Sequence, residues 1–321
     1  MELQLKNIGM IKEANVKIDG LTVIAGENDT GKSTLSKVLY AFVKSLSNTT
    51  KLSSLNFNAN LHKYFDGQIS ENGNIQFKIE SDIFDIDIVN NKCKVNVGNS
   101  CFFIADRYGF SPNISMIETP TIWNILKIFT KLPMIEDSIE FSLEYPQIMK
   151  DLALKLSFKG KGNALAVDKT IADIINGDFK EDQLGNFYFY KNSQKLELIN
   201  TATGIKYFGL LQVLSNNNWL QKNSFLVLDE PEVHLHPKWQ LEMAKIIVEL
   251  VKDGVKIVVN SHSPYMIQAL IKYARDVEIT DKSNVYLAQK EGEFSTFENV
   301  NDNLNKIFEL LAEPMNEVFE L

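Results

Sequence analysis

Eight residues near the amino terminus have the types and spacing that bind nucleotide phosphates. The segment Gly26-Glu-Asn-Asp-Thr-Gly31-Lys32-Ser33 fits the pattern G-x-x-x-x-G-K-[ST], and it stands between an apolar strand pattern and a helical pattern. Glycines let successive backbone N–H groups point at phosphate oxygens, and the helix adds the positive end of its dipole. Lys32 reaches the β- and γ-phosphates, and the Ser33 hydroxyl binds Mg²⁺. The predicted ATP ligands of this segment are Gly26, Asn28, Thr30, Gly31, Lys32, Ser33 and Thr34.

A second segment supplies the carboxylates that such a site needs. Ser224-Phe-Leu-Val-Leu-Asp229-Glu230-Pro231 contains a short apolar run that predicts a buried strand, and two acids follow at its carboxyl end. We predict that Asp229 joins Ser33 at the Mg²⁺ ion, which Asp229 holds through water. Glu230 then lies beside the γ-phosphate and polarises the attacking water as a general base. The alternative is a strand that ends in two surface acids.

The residues after Glu230 resemble a family motif. Asp229-Glu-Pro-Glu-Val-His-Leu-His-Pro237 looks like the extended Walker B motif of ABC-type ATPases in the OLD, RecF and SMC-like group. This group includes ATPases of bacterial anti-phage systems such as Septu, Gabija and PARIS. Transporter subunits usually carry Thr-Ser-Ala-Leu-Asp where this chain has the segment from Glu232 to His236. In the family this D-loop lies across a dimer interface, which implies interface roles for His234 and His236. A zinc pair is the alternative, but the i, i+2 spacing does not suit a helical zinc motif.

Two further segments are similar to motifs of the same family. Val258-Val-Asn-Ser-His262-Ser-Pro264 resembles its switch strand, which implies that His262 contacts the γ-phosphate and helps to align the water. Asn200-Thr-Ala-Thr203-Gly204-Ile-Lys206 holds the place of its signature motif, which closes on the ATP of the other subunit. The Thr203 hydroxyl, the Gly204 N–H and the helix N-terminus are the groups that face that phosphate. A plain threonine N-cap is the alternative here.

The predicted elements indicate an α/β fold. Strands and helices alternate regularly from residue 225 onward, which implies a largely parallel sheet covered on both faces. Residues 74–97 alternate between apolar and polar side chains and predict an antiparallel meander. Asp85 and Asp87 suggest a nuclease motif within that meander, but the wet face of a strand explains them more simply. Residues 50–72 are polar and are predicted to form a surface connection.

The resemblance to ABC-type ATPases organises these elements into one discontinuous domain. We expect the P-loop fold of that family, with a mixed or parallel sheet at its centre. The predicted ATPase core, lobe I, consists of residues 1–110 and 186–321, and its antiparallel part covers about residues 74–98. Residues 111–185 are predicted to be a helical insert, lobe II. A buried strand is predicted at Cys101–Ala105, and Arg107 follows where the family's Q-loop begins.

Composition limits the classes of partner. The formal net charge is −8 and the sequence pI is near 5.2, whereas chains that wrap nucleic acid are usually basic, so nucleic-acid binding stays open. No apolar run approaches the roughly 18 residues of a membrane span, and residues 1–6 alternate like a strand instead of forming a signal peptide. Two cysteines are too few for a disulfide framework or a four-ligand zinc site. We therefore expect a cytoplasmic protein without a membrane partner.

The resemblance also implies how the chain acts. In the family two copies sandwich ATP and Mg²⁺, which implies a homodimer or a higher oligomer that controls a separate effector in anti-phage defence. About 59 residues follow His262, too few for the nuclease domain of OLD-type ATPases, so we expect the nuclease in another chain. The middle of the chain lacks the heptads of a long SMC coiled coil. The alternatives are a RecF-like repair or replication ATPase that closes on duplex DNA, a transporter ATPase subunit, and a scaffold that binds ATP without turnover.

Overall fold

The computed structural model describes residues 1–47, 54–65, 67, 69–97, 113–136, 146–163, 165 and 167–311. Its strands are β1 (Glu2–Ile8), β2 (Ile11–Lys17), β3 (Leu21–Gly26), β4 (Asn72–Ile79), β5 (Asp82–Val89), β6 (Lys92–Val97), β7 (Ile114–Ile117), β8 (Asp178–Glu181), β9 (Phe187–Lys191), β10 (Gln194–Glu197), β11 (Phe225–Asp229), β12 (Lys256–Ser261), β13 (Ser283–Glu291) and β14 (Phe294–Asn299). Its helices are α1 (Lys32–Ser47), α2 (Ser54–Phe65), α3 (Ile122–Glu136), α4 (Gln147–Ser157), α5 (Asp168–Ile175), α6 (Thr203–Asn216), α7 (Pro237–Lys252) and α8 (Pro264–Asp276). Residues 305–311 are also helical.

One mixed sheet organises these elements. Within the described residues it has 11 strands in the order β6-β5-β4-β1-β2-β14-β13-β3-β12-β11-β7. We call β13, β3, β12, β11 and β7 the parallel half, because each of these strands is parallel to its neighbours within the group. We call β6, β5, β4, β1 and β2 the antiparallel half, and β14 joins the two. The predicted mixed α/β fold is confirmed.

The strands of the parallel half are buried on both faces. Every residue of β3 is buried, and so is β11 up to Leu228. Since side chains alternate along a strand, Val23 and Leu228 pack into one hydrophobic cluster while Ile24 packs into the other. Helices α6, α7 and α8 cover the first face, and α1 and α2 cover the second. This arrangement holds the carboxyl ends of the parallel strands at one edge of the sheet.

The predicted surface connection at residues 50–72 is wrong in its described part, because Ser54–Phe65 form helix α2. Phe57, Leu61 and Tyr64 are buried at the i, i+4, i+7 spacing of one helical face. The ring of Phe57 packs edge-to-face against Phe42 of α1, with centroids 6.3 Å apart. The prediction missed this helix because its narrow apolar stripe lies among mostly polar, Asn-rich residues.

The antiparallel half has the predicted meander. Phe84, Ile86 and Ile88 of β5 are buried, and Asp85 and Asp87 lie on the opposite face of the strand. There the Nδ2 amide of Asn74 donates to Asp85 Oδ1 at 2.9 Å and to Asp87 Oδ1 at 3.0 Å. The two acids are therefore cross-strand partners of an amide on the wet face of the sheet, as the simpler interpretation predicted.

The region predicted as the helical insert, residues 111–185, contains both helices and strands. Helices α3, α4 and α5 and strand β8 lie within it, and β8 forms a separate antiparallel sheet with β9 and β10, which follow residue 185. However, Ile114–Ile117 form β7, which pairs with β11 in the central sheet, although our boundary at residue 111 placed them in the insert. The predicted strand Cys101–Ala105 and Arg107 lie outside the described residues. No described helix is long and apolar enough to cross a membrane.

Candidate active site

Two glycines allow the P-loop to curl tightly after β3. Gly26 has a φ of +150° and Gly31 a φ of +84°, which residues with a Cβ rarely adopt. A Cβ on Gly26 would also collide with the carbonyl oxygen of Ala288 on β13, and one on Gly31 would lie 2.6 Å from Ile11 Cγ1. Asp29, at the tip of the loop, has a φ of +60°. Its carboxylate pairs with Lys290 at 2.8 Å, which ties the loop to β13.

The loop encloses the lysine at the start of α1. Lys32 is 5% exposed, and its Nζ donates to the carbonyl oxygens of Gly26 at 3.0 Å and of Glu27 at 2.5 Å. Burial lowers the pKa of Lys32, while the nearby carboxylates of Glu230 and Asp229 oppose that shift. The ammonium group thus already faces the acids at the end of β11.

Three other predicted ligands line the same loop. Thr30 is buried and donates its hydroxyl to the Glu27 carbonyl oxygen at 2.9 Å, whereas Asn28 is exposed and Thr34 is half-buried. This combination leaves the amide of Asn28 accessible at the mouth of the loop. The loop therefore keeps its own shape through internal hydrogen bonds while part of its rim faces solvent.

The predicted metal ligands contact each other. Ser33 Oγ donates to Asp229 Oδ2 at 2.8 Å, which joins the start of α1 to the end of β11. The other oxygen, Asp229 Oδ1, accepts from the Nδ2 of Asn260 at the end of β12, at 2.7 Å. Asn260 also donates to Ser36 Oγ at 2.9 Å. Hydroxyl and carboxylate oxygens are the ligands that Mg²⁺ prefers beside phosphate oxygens and water, so these residues fit the metal ion.

The predicted catalytic pair comes together from two strands. Glu230 follows β11 and has a left-handed φ of +49°, and its backbone N–H donates to the carbonyl oxygen of Asn260 at 2.9 Å. The Oε1 of Glu230 lies 3.6 Å from His262 Nδ1. Their side chains are 37% and 41% exposed, so both groups reach the open side of the site. Parallel pairing of β11 with β12 explains why residues 32 positions apart in sequence meet here.

The signature segment and the D-loop form one surface of the chain. A Cβ on Gly204 would lie 3.0 Å from Leu235 Cδ2 and 3.3 Å from the carbonyl oxygen of His234. Thr203 and His234 are both exposed. Helix α6 has Ala202 at its N-cap without a side-chain cap, so the alternative of a threonine N-cap is not the arrangement seen.

The two D-loop histidines have different environments. His236 is the N-cap of α7, and its Nδ1 accepts from the backbone N–H of Lys238 at 3.3 Å. His234 has a left-handed φ of +66° and an exposed side chain. One histidine therefore has a local structural role in addition to its predicted interface role, and the other is presented outward by the turn.

Sequence reasoning missed two polar side chains of this edge, those of Glu118 and Tyr207. Glu118 follows β7, pairs with Lys37 at 3.7 Å, and has a pKa raised by burial. Burial also raises the pKa of Tyr207 on α6, and the nearby charges of Asp229 and Glu232 raise it further. The Tyr207 hydroxyl has no hydrogen-bond partner among the described residues. A signal existed for Glu118, since an acid directly follows the apolar run of β7, but nothing in the sequence marked Tyr207.

Comparisons with known proteins agree with this geometry. A family model, AAA_15, described as an AAA ATPase domain, matches residues 124–267, a range that includes Asp229, Glu230 and His262. The Septu protein PtuA of Bacillus thuringiensis is 34% identical over 65 residues, which are 20% of this chain and 16% of that protein. The chain therefore matches less than a fifth of the length of this relative.

Solved structures show the same fold at low sequence identity. The SMC head domain from Thermotoga maritima covers 93% of this chain and 98% of its own, with a TM-score of 0.51 and 13% identity. An SmcHead bound to the C-winged helix domain of ScpA covers 95% of this chain and 98% of its own, with a TM-score of 0.55 and 14% identity. The findings fit an ABC-type ATPase of the SMC and OLD group. The family model's range includes the signature segment, the residues after β11 and the strand β12, in that order along the chain.

Proposed function

We propose that this ATPase binds ATP with Mg²⁺ and hydrolyses it at the carboxyl edge of the parallel half, through Glu230 and His262. The observation that supports this most is the meeting of three distant segments at that edge. Lys32 and Ser33 follow β3, Asp229 ends β11 and contacts Ser33 at 2.8 Å, and His262 follows β12. Ligands of open α/β sheets bind at this edge, beyond the carboxyl ends of the strands.

Each side chain has a distinct part in the reaction. The P-loop amides and Lys32 bind the β- and γ-phosphates. Ser33 and Asp229 would hold Mg²⁺, which would supply positive charge beside the phosphate oxygens. Glu230 accepts the proton of the attacking water, and its exposed carboxylate is free to face that water. His262 lies on the γ-phosphate side of the site and keeps the water aligned by accepting a hydrogen bond from it.

The active site is completed by a second copy of the chain. Thr203, Gly204 and His234 lie together on an exposed surface, and they belong to the two motifs that the family places across its dimer interface. In a two-fold dimer this surface of one protomer closes on the P-loop of its partner. We therefore infer a homodimer whose closing depends on bound nucleotide, with Thr203 and Gly204 as ligands in trans.

A regulatory role in anti-phage defence follows from the resemblance to the Septu protein PtuA. The ATPase acts as a nucleotide-gated sensor that controls a separate effector, and a nuclease is the effector that the resemblance implies. The solved complex of an SMC head with a domain of ScpA supports a partner protein, because it is a related fold bound to another chain. The test applies to a nuclease encoded by a gene next to that of this chain. We expect the nuclease activity of that purified protein to change when the ATPase and ATP are added.

The dimer is tested by the dependence of hydrolysis on protein concentration. We expect the rate per protomer to rise with concentration and then to saturate, and light scattering to show a dimer with ATP. A strict monomer with a constant rate per protomer contradicts the shared site. ATP-dependent, salt-sensitive binding of the isolated chain to duplex DNA would favour the RecF-like alternative instead.

A further inference from the structure

Glu232 is a buried carboxylate inside the D-loop. Its residue is 5% exposed, although its neighbours Val233 and His234 are both exposed. One oxygen, Oε1, accepts three hydrogen bonds from the turn after β12: from Ser261 Oγ at 2.8 Å, from the His262 N–H at 2.9 Å and from the Ser263 N–H at 3.1 Å. Hydrogen bonds from backbone N–H groups hold a carboxylate in a fixed position. Glu232 therefore joins the D-loop to the loop that carries His262.

Two buried atoms beside this contact lack a partner. Glu232 Oε2 and His262 Nδ1 are both buried, and neither makes a hydrogen bond with any residue that the structure describes. His262 Nδ1 lies 3.5 Å from Glu232 Oε1 and 3.6 Å from Glu230 Oε1. The side chain of His262 is nevertheless 41% exposed, so Nδ1 points inward while the rest of the ring reaches solvent. Buried polar atoms are normally satisfied, and a protonated Nδ1 and the carboxylate oxygen Oε2 are complementary as donor and acceptor.

We infer that Glu232 is the positioning residue of His262: its carboxylate accepts a hydrogen bond from Nδ1–H and thereby fixes the orientation and the tautomer of the ring for hydrolysis. This inference rests on the proposed function. The charged groups that face the pair are Glu230 and, from the P-loop, Lys32, whose ammonium interacts with both carboxylates. A proton held on Nδ1 leaves Nε2 as the acceptor of the neutral ring.

The same contact connects hydrolysis to the dimer interface. Glu232 lies between Glu230, the proposed base, and His234, which the D-loop presents outward. If a second copy displaced the D-loop, the three hydrogen bonds of Glu232 would couple that displacement to the loop of His262. The partner thus controls the orientation of the imidazole without touching it, which makes the hydrolysis step sensitive to dimer closure.

A double-mutant cycle on the full chain tests this inference. Steady-state ATP hydrolysis is measured for wild type, Glu232→Gln, His262→Ala and the double variant. We expect Glu232→Gln to lower kcat about tenfold with little change in KM, and to lower it less than about twofold when His262 is already Ala. Glutamine keeps the size of the side chain and an oxygen for the three donors, so the fold is preserved, and thermal melting checks this.

The double-mutant cycle includes a matched control variant, and two outcomes would contradict the inference. Glu249→Gln makes the same chemical change on the exposed face of α7 and should leave kcat unchanged. If Glu232→Gln lowers kcat equally with and without His262, it acts independently of the ring and the inference is wrong. It is equally wrong if Glu232→Gln has the kcat of wild type.

A second readout separates this inference from the proposed function. Histidine ring nitrogens of the ¹⁵N-labelled protein are observed by NMR, and His262→Ala assigns one of the four histidines. We expect the neutral ring of His262 to carry its proton on Nδ1 in wild type and to lose that preference in Glu232→Gln. Unchanged ring signals in the variant overturn the pairing. A wild-type protein that hydrolyses no ATP contradicts the proposed function alone, because the NMR result does not depend on turnover.

Discussion

The two halves of the central sheet differ in what their polar residues do. In the parallel half, Asp229, Asn260 and His262 come from neighbouring strands and gather at one edge, where Asp229 contacts both Ser33 and Asn260 within 2.8 Å. In the antiparallel half, Asp85 and Asp87 lie along the middle of a strand and share an amide of Asn74 across the sheet. Both halves contain Asp–Asn contacts, but only one half assembles a site.

Strand direction explains the difference. Parallel neighbours all end at the same edge, so the residues that follow them meet even when they are far apart in sequence. Antiparallel neighbours end at opposite edges, and their turns are short; Asn90 and Asn91 take left-handed conformations in one of them. Among the described residues the antiparallel half therefore contributes a hydrophobic core and a wet face, and the proposed site lies at the edge of the parallel half.

Replacing the proposed base is expected to have the largest effect. Glu230→Gln removes the proton acceptor and should lower kcat for ATP hydrolysis about 10³-fold while ATP binding persists, because general bases contribute on that scale. The trapped, nucleotide-bound dimer should be visible by light scattering. Asp85→Asn is the matched control in the antiparallel half and should keep the wild-type kcat. Normal turnover by Glu230→Gln would show that another group is the base.

The next largest effect is expected at the P-loop. Lys32→Ala removes a buried ammonium group that faces the phosphates and should weaken ATP binding about 10²-fold, as measured by calorimetry. Lys78→Ala, in the antiparallel half, changes an exposed lysine that pairs with Glu2 at 3.8 Å and should leave the affinity unchanged. Wild-type affinity in Lys32→Ala would contradict the P-loop assignment.

A smaller effect is expected for the two asparagines that bridge carboxylates. Asn260 is fully buried, and Asn260→Ala should lower the free energy of unfolding by about 2 kcal/mol, because Asp229 and Ser36 lose a buried donor. Asn74 is half-buried, so Asn74→Ala should cost less than about 1 kcal/mol. Urea unfolding of both variants measures the two losses in the free energy of unfolding. Equal losses would show that the deeper burial of Asn260 does not make its hydrogen bonds more stabilising than those of Asn74.

The smallest effect is expected at the tip of the P-loop. Lys290 and Asp29 form an ion pair at 2.8 Å, but their side chains are 44% and 67% exposed. Exposed pairs contribute little, so Lys290→Ala should change the affinity for ATP by less than about threefold. Calorimetry at two salt concentrations checks this, and a loss as large as that of Lys32→Ala would mean that the tip itself binds phosphate.

Sequence reasoning worked best where the chemistry is local. The P-loop pattern predicted the loop between β3 and α1, and the apolar run before Asp229 predicted β11. Each of these patterns is contained in about ten neighbouring residues. Each arises from steric limits on the backbone or from the spacing of apolar side chains. The mixed sheet also followed from the alternation of strands and helices.

Long-range contacts were beyond the sequence. Asn260 and Glu232 were visible only as members of motifs, because their partners Ser36 and Ser261 are chosen by strand pairing. β14 was missed since Phe294–Asn299 is short, mostly polar and joins β2 across a register shift. The order of strands, which places β13 and β14 between β2 and β3, is a tertiary choice that no local pattern encodes.

The left-handed backbone of Glu230 has a consequence for how this protein can change. At a φ of +49° a glycine has less steric strain than any residue with a Cβ, so Glu230→Gly should relieve backbone strain of about 1 kcal/mol. The same substitution deletes the carboxylate on which the proposed hydrolysis depends. We therefore expect Glu230→Gly to raise the melting temperature slightly while it abolishes hydrolysis, so stability and the proposed activity make opposite demands on this position.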